Sequence, residues 1–229
     1  MKTHYLLLSF LILGVRTFAQ TTPIFNTYQQ EMNIAYQQYP NVPKGILEAV
    51  SFNMTHFSHI DETIPQSCFG LPRVFGVMGL TENGEGYFRS NLNLVSQLSG
   101  YSVLDIKNDP QTNISAYAAA YSELLISMTI SPTEINEHDR VIIALSEIPI
   151  DSNIANNFAL NSRLYEIFKS LKNSNTPVSD SVDLVTIFGK KNLKIWIKNI
   201  EIFDQNLIKG SRYLVDLLLL SRIKACLVK

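Results

Sequence analysis

Cysteine is nearly absent from this 229-residue chain. Only Cys68 and Cys226 occur, so one disulfide at most can form and a small disulfide-held scaffold is excluded. Cys68 lies in an apolar, glycine-punctuated stretch and reads as a packed thiol. Charge is also sparse, at 17% of residues with a formal net charge of −1, so nothing global directs the chain to nucleic acid. There are four histidines. His56 and His59 stand three apart near a helix end, but no third ligand accompanies them, and a catalytic zinc needs three protein ligands. They read as surface histidines, and no metal or cofactor is expected here. Between the N-terminal segment and the very end, no apolar run approaches the ~20 residues of a membrane span. What remains is 46% apolar, enough for a core and one large domain, with or without an appendage.

Residues 1–19 have the layout of a secretory signal. Lys2 gives the positive start, Tyr5 to Val15 is the apolar segment, and Thr17-Phe18-Ala19 offers a cleavage site that leaves Gln20 first. The competing reading is an uncleaved anchor, for which the run is short. A secreted or periplasmic protein is therefore expected, with no stable membrane span after cleavage.

The stretch Lys44 to Leu80 promises the wall and floor of a cleft. Leu47, Val50, Met54 and Phe57 recur at helical spacing, and Pro43 sits where a first-turn proline is tolerated. After a polar loop to Pro72 comes a short apolar turn, Val74 to Leu80, punctuated by Gly76 and Gly79. Gly76-x-x-Gly79 has no strand-to-helix context and reads as a packing turn. Around this pair the periodicity predicts helices over residues 22–39, 90–98, 112–128, 139–145 and 152–171. Gly100 closes the second of these, and Ser102 caps a brief turn before Asp109-Pro110 opens the third. Residues 173–181 form a polar linker. The expected fold is mostly α, with a short irregular or β turn region.

The composition breaks after Gly189. Nine of the nineteen Lys and Arg residues fall between Lys190 and Lys229, against Glu201, Asp204 and Asp216. Two readings stay open for this tail. One is a basic or hydrophobic helix; the other is a truncated or frame-shifted remnant. The domain plan is a signal over 1–19, a helical domain over 20–172, and a linker and tail over 173–229.

Four pieces carry a resemblance: YPNVPKGILEAVSFNMTHF, SCFGLPRVFGVMGL, LSGYSVLDIKNDPQTNISAYA and NNFALNSRLYEIFKSL. Over residues 39–170 the chain resembles the N-terminal domain of secreted, flavobacterial-type N-acetylmuramoyl-L-alanine amidases. That domain is similar in turn to lysozyme-like lytic transglycosylases. The resemblance implies a lysozyme-like helical fold and a peptidoglycan glycan strand as partner. It also implies a zinc amidase domain following this one, where this chain ends, and zinc is expected only there.

The same resemblance exposes departures. Met54 falls where the transglycosylase helix carries its catalytic glutamate, and Thr55 replaces the serine after it. Gly79 replaces the substrate-binding glutamine of the turn. Ala144-Leu145-Ser146 stands at the later Ala-Tyr-Asn motif without its tyrosine or asparagine. Glycoside cleavage needs a carboxylic acid to protonate the leaving oxygen, and a thioether has no proton to give. Glu48 lies six residues before Met54, roughly 120° round the helix, and points elsewhere as a solvated charge. Asp61, Glu62, Glu82 and Glu85 sit in loops, and no spacing pairs them.

The expected function is a peptidoglycan-directed accessory domain of an amidase, without glycosidic activity of its own. Thr55, Phe75, Met78, Gly79 and Glu62 are its candidate substrate-binding residues, and no catalytic residue is assigned. The alternatives are an active transglycosylase using a non-standard acid, and a structural or partner-binding domain.

Overall fold

A computed structural model describes residues 26–65, 73–82 and 90–188. The signal segment, Cys68, Glu85, Cys226 and the tail lie outside the described residues. The fold is mostly α. In order come α1 (Gln29–Gln38), α2 (Ile46–Thr55), β1 (Val74–Phe75), β2 (Leu80–Thr81), α3 (Asn91–Ser99), α4 (Val103–Asn108), α5 (Pro110–Ser127), α6 (Asp139–Ser146), α7 (Ile154–Lys172) and α8 (Leu184–Phe188). Short 3₁₀ turns precede α6 and α8.

The centre of the fold is α5. Every residue from Asn113 to Ser122 is buried, so this helix is enclosed on all sides rather than striped. Its run of alanines and serines allows α1, α3, α4 and α6 to pack closely around it. The start is set as the sequence predicts. Asp109 caps it by accepting the Thr112 N–H at 2.7 Å, with Pro110 in the first turn. Ser102 caps α4 in the same way, accepting the Asp105 N–H at 3.1 Å.

Packed on α7 is α2, whose start differs from expectation. It opens at Ile46, not near Lys44. The orphan N–H groups of Gly45 and Leu47 both donate to the Tyr36 hydroxyl, at 2.8 and 3.1 Å. Tyr36 in turn donates to the Glu48 carboxylate, which also accepts from Gln29 at 2.9 Å. Glu48 is thus a cross-helix anchor between α1 and α2 and not a free surface charge. At the other end His56 and Phe57 take left-handed conformations and stop the helix.

Two further boundaries move. Ser152 precedes α7 without capping it. Asp151 holds that end instead, accepting the Asn153 N–H at 2.8 Å and the Asn156 amide at 2.7 Å. The core also runs on past residue 172: Val182 and Phe188 are buried in it, so α7 is not its last element.

The apolar turn is a two-stranded antiparallel ribbon, Val74 opposite Thr81 and Phe75 opposite Leu80. Gly76 extends it by donating its N–H to the Ile60 carbonyl at 2.7 Å.

Candidate functional site

The last turn of α2, the ribbon, the start of α3, the end of α6 and one face of α7 enclose a cleft of about 470 Å³. Met54 lies half-buried on its wall, beside Val74, Ile148 and Phe158. Asn53, Asn91, Ser146, Ser162, Arg163 and Glu166 supply the polar lining.

The ribbon is pinned to its neighbours by buried polar side chains. Asn91 accepts the Thr81 N–H at 2.7 Å and donates to the Leu145 carbonyl at 2.9 Å, tying the ribbon to the end of α6. Asn113 of α5 accepts the Met78 N–H at 2.8 Å and donates to the Ile106 carbonyl at 3.0 Å. The Thr55 hydroxyl is directed at the Val77 carbonyl at 2.6 Å, with the Ser51 carbonyl 3.1 Å away. Gly76 and Gly79 both have positive φ, +71° and +64°, and both are crowded. A Cβ on Gly76 would lie 1.9 Å from the Asn113 amide, and one on Gly79 would lie 2.6 Å from the Met54 Cβ.

These contacts place the candidate residues. Of them, Met54 alone lines the cleft. Thr55, Phe75, Met78 and Gly79 are buried and serve to seat the ribbon on α2 and α5. Glu62 is exposed and bonds Lys107 at 2.6 Å. Glu82 reaches the same ammonium at 3.1 Å, and that ammonium stands 4.3 Å over the Phe75 ring. The hydrogen bond and charge of Lys107 hold the Glu62 carboxyl below its ordinary range. Two loop carboxylates that no spacing pairs are therefore joined through Lys107, a residue of α4. Asp61 stands apart, bonded to Thr63, whose hydroxyl holds its carboxyl low.

The histidines do not fit a zinc site. His56 is exposed and packs its ring against Phe52, at 5.4 Å between centroids. His59 departs from the surface expectation: both its ring nitrogens are buried and lack a hydrogen-bond partner. Among the described residues, no group of three or more His, Cys, Asp or Glu is arranged to hold a metal. Asn53-Met54-Thr55 and Asn113-Ile114-Ser115 match glycosylation sequons, and both asparagines are working side chains. Asn113 is fully buried, and the Asn53 amide donates to Ala49 at 2.7 Å and Ser170 at 3.0 Å.

Two charged residues of the cleft escape a reading of the sequence by motif. Glu166 is on its wall and pairs with Lys169, at 3.7 Å. Arg163 lies on the same wall, with Nε and Nη2 closed to solvent and without a hydrogen bond. Burial lowers the proton affinity of its guanidinium. The polar group acting on it is the Tyr117 hydroxyl of α5, itself buried and pushed up to about 12. The signal in the sequence is positional. Leu160, Arg163 and Ile167 share one side of α7, so a cation interrupts an apolar stripe.

Compared with known protein families, curated proteins and solved structures, the chain matches none. The geometry defines a mostly α protein with a cleft between its second and seventh helices, the ribbon and the end of α6. Among the described residues, no helix is long and apolar enough to cross a membrane.

Proposed function

We propose that the chain is the peptidoglycan-directed domain of an exported N-acetylmuramoyl-L-alanine amidase, and that it holds glycan strands without cleaving them. The observation that carries this reading is Met54. It stands on the cleft wall, at the position where the resemblance puts a catalytic glutamate. A methionine there offers apolar contact to a sugar face and no proton to a leaving oxygen. Ser162, whose buried hydroxyl has no hydrogen-bond partner, lines the same cleft. A short ribbon following the helix that carries this position agrees with the fold the resemblance implies. The zinc chemistry of the amidase belongs, in the proteins it resembles, to the domain that follows.

Glu166 supports a second reading, because it places a carboxyl group on the same cleft. On that reading the domain is an active transglycosylase with a non-standard acid. One pair of experiments separates the possibilities. Mature protein is incubated with purified insoluble peptidoglycan, sedimented, and the supernatant examined for anhydro-muropeptides. Co-sedimentation with no anhydro products is expected. Products that vanish in Glu166→Gln establish the enzyme. Protein that stays in the supernatant and releases nothing leaves a structural or partner-binding domain.

A further inference from the structure

An uncharged sugar would leave the Arg163 guanidinium without a counter-charge. Its Nε and Nη2 are shut off from water and make no hydrogen bond of ordinary geometry, and the polar neighbour acting on them, the Tyr117 hydroxyl, brings no counter-charge. Among the described residues no carboxylate forms an ion pair with it, and Glu166, one turn along α7, pairs with Lys169 instead. A buried cation without a counter-charge works against the fold, since its lost hydration is not repaid. Natural proteins retain such groups where a ligand supplies the missing charge.

The unpaired donors specify the ligand's chemistry. Nε and Nη2 lie along one edge of the planar guanidinium, at the spacing that meets both oxygens of a carboxylate. Arg163 is one of the residues lining the cleft, and binding through this edge requires its guanidinium to turn so that the edge meets an occupant. Met54, Val74, Ile148 and Phe158 line the same cleft, an apolar surface for the rest of the ligand. A volume of about 470 Å³ suits a molecule of small-ligand size.

We propose that this cleft is a carboxylate-binding site, in which the Arg163 fork receives the carboxylate of a small ligand whose body rests on the Met54–Phe158 side. The sugar identity of that body rests on the glycan reading above; the carboxylate does not. On the glycan reading, the group recognised is the lactyl or peptide carboxylate that distinguishes muramic acid and its peptides from N-acetylglucosamine.

The test is titration calorimetry on the mature full chain with four probes: N-acetylmuramic acid, a muramoyl dipeptide, N-acetylglucosamine and 3-phenylpropionate. N-acetylmuramic acid carries the lactyl carboxylate and the dipeptide a peptide carboxylate, which separates the two sources. At least one is expected to bind about tenfold or more tighter than N-acetylglucosamine, with that advantage lost in Arg163→Met. Binding of 3-phenylpropionate alone, dependent on Arg163, keeps the carboxylate site and sinks the glycan reading. Carboxylates that bind no better than N-acetylglucosamine, or equally well to Arg163→Met, overturn the proposal. The variant's melting temperature is an independent readout. Removing an unpaired buried cation in favour of an apolar side chain should leave it unchanged or raise it. Should Arg163→Met fail to fold, the Arg163 Nε–H resonance is followed in the wild-type protein. A shift with carboxylates and none with N-acetylglucosamine supports the site, and no shift with either refutes it.

Discussion

Gly79 lies directly against Met54: a Cβ on the glycine would stand 2.6 Å from the methionine Cβ. The contact is backbone to helix, so no rotamer of Met54 relieves it. Gly79→Ala should therefore destabilise the protein twice over. The left-handed φ of +64° costs an alanine roughly 1–2 kcal/mol, and the overlap adds about 1–3 kcal/mol. Urea unfolding measures the sum. Combining it with Met54→Ala should not restore stability, because the clashing Cβ remains. A double variant as stable as wild type would show that the contact is misplaced.

Met54 itself is half-buried and faces the cleft. Met54→Leu conserves shape and should cost less than ~1.5 kcal/mol. Met54→Ala should fall below the roughly 2–5 kcal/mol typical of closed-core truncations, because solvent already reaches the site. Met54→Glu should fold, its carboxylate being able to reach water. It should still release no anhydro-muropeptides, since on the proposed resemblance Gly79 and Leu145 replace the side chains with which lytic transglycosylases hold their substrate. Met54→Glu protein found only in aggregates would place Met54 in a closed core. Released products would mean that only the acid is missing.

Asn113 joins α5 to both the ribbon and α4 through two buried hydrogen bonds. Asn113→Leu fills the volume but orphans the Met78 N–H and the Ile106 carbonyl. At about 1–3 kcal/mol for each orphaned group, the loss should total roughly 2–6 kcal/mol. A loss under ~1 kcal/mol by chemical denaturation would argue against this pinning. The same burial predicts that Asn113 carries no glycan in folded protein from a glycosylating host, which an intact mass checks.

His138 is a buried titratable group with a defined tautomer. Nε2 is 3.0 Å from the Ser131 carbonyl, which only accepts, so Nε2 carries the proton. Nδ1 then accepts from the Tyr121 hydroxyl at 2.9 Å. Burial lowers the His138 pKa, opposed in part by the Ser131 bond and the charges of Glu134 and Glu137. The unfolded chain takes up this proton near pH ~6.5, while the folded chain resists until lower pH. Its contribution to stability is therefore complete above ~6.5 and declines as the pH falls through that value toward the folded pKa. Melting temperatures from pH 7.5 to 5 should fall more steeply for wild type than for His138→Gln. Parallel profiles would sink the assignment.

Local chemistry in the sequence was enough for the helices that carry their own signals. Asp109-Pro110 opens α5, Ser102 opens α4 and Gly100 closes α3, each through contacts within a few residues. The break between α2 and the apolar turn was legible for the same reason, in Gly76, Gly79 and the end of a helical stripe. So was the placing of Glu48 and Met54 on different sides of α2.

Partners distant along the chain were not legible. The cap of α2 comes from Tyr36 in the preceding helix, and no pattern within α2 announces it. Lys107 joins Glu62 and Glu82 only because α4 folds back over the ribbon. Buriedness of Thr55, Phe75, Met78 and Gly79 depends on Asn113 drawing the turn down onto α5. Caps and periodicity act over a few residues, so the helical segments and several of their starts can be read from the amino-acid order alone. Tertiary structure alone decided which charges are shut away from water. Arg163 is an ordinary helix-forming residue in its own segment, and only the packing of α7 with its neighbours leaves its fork buried without a counter-charge.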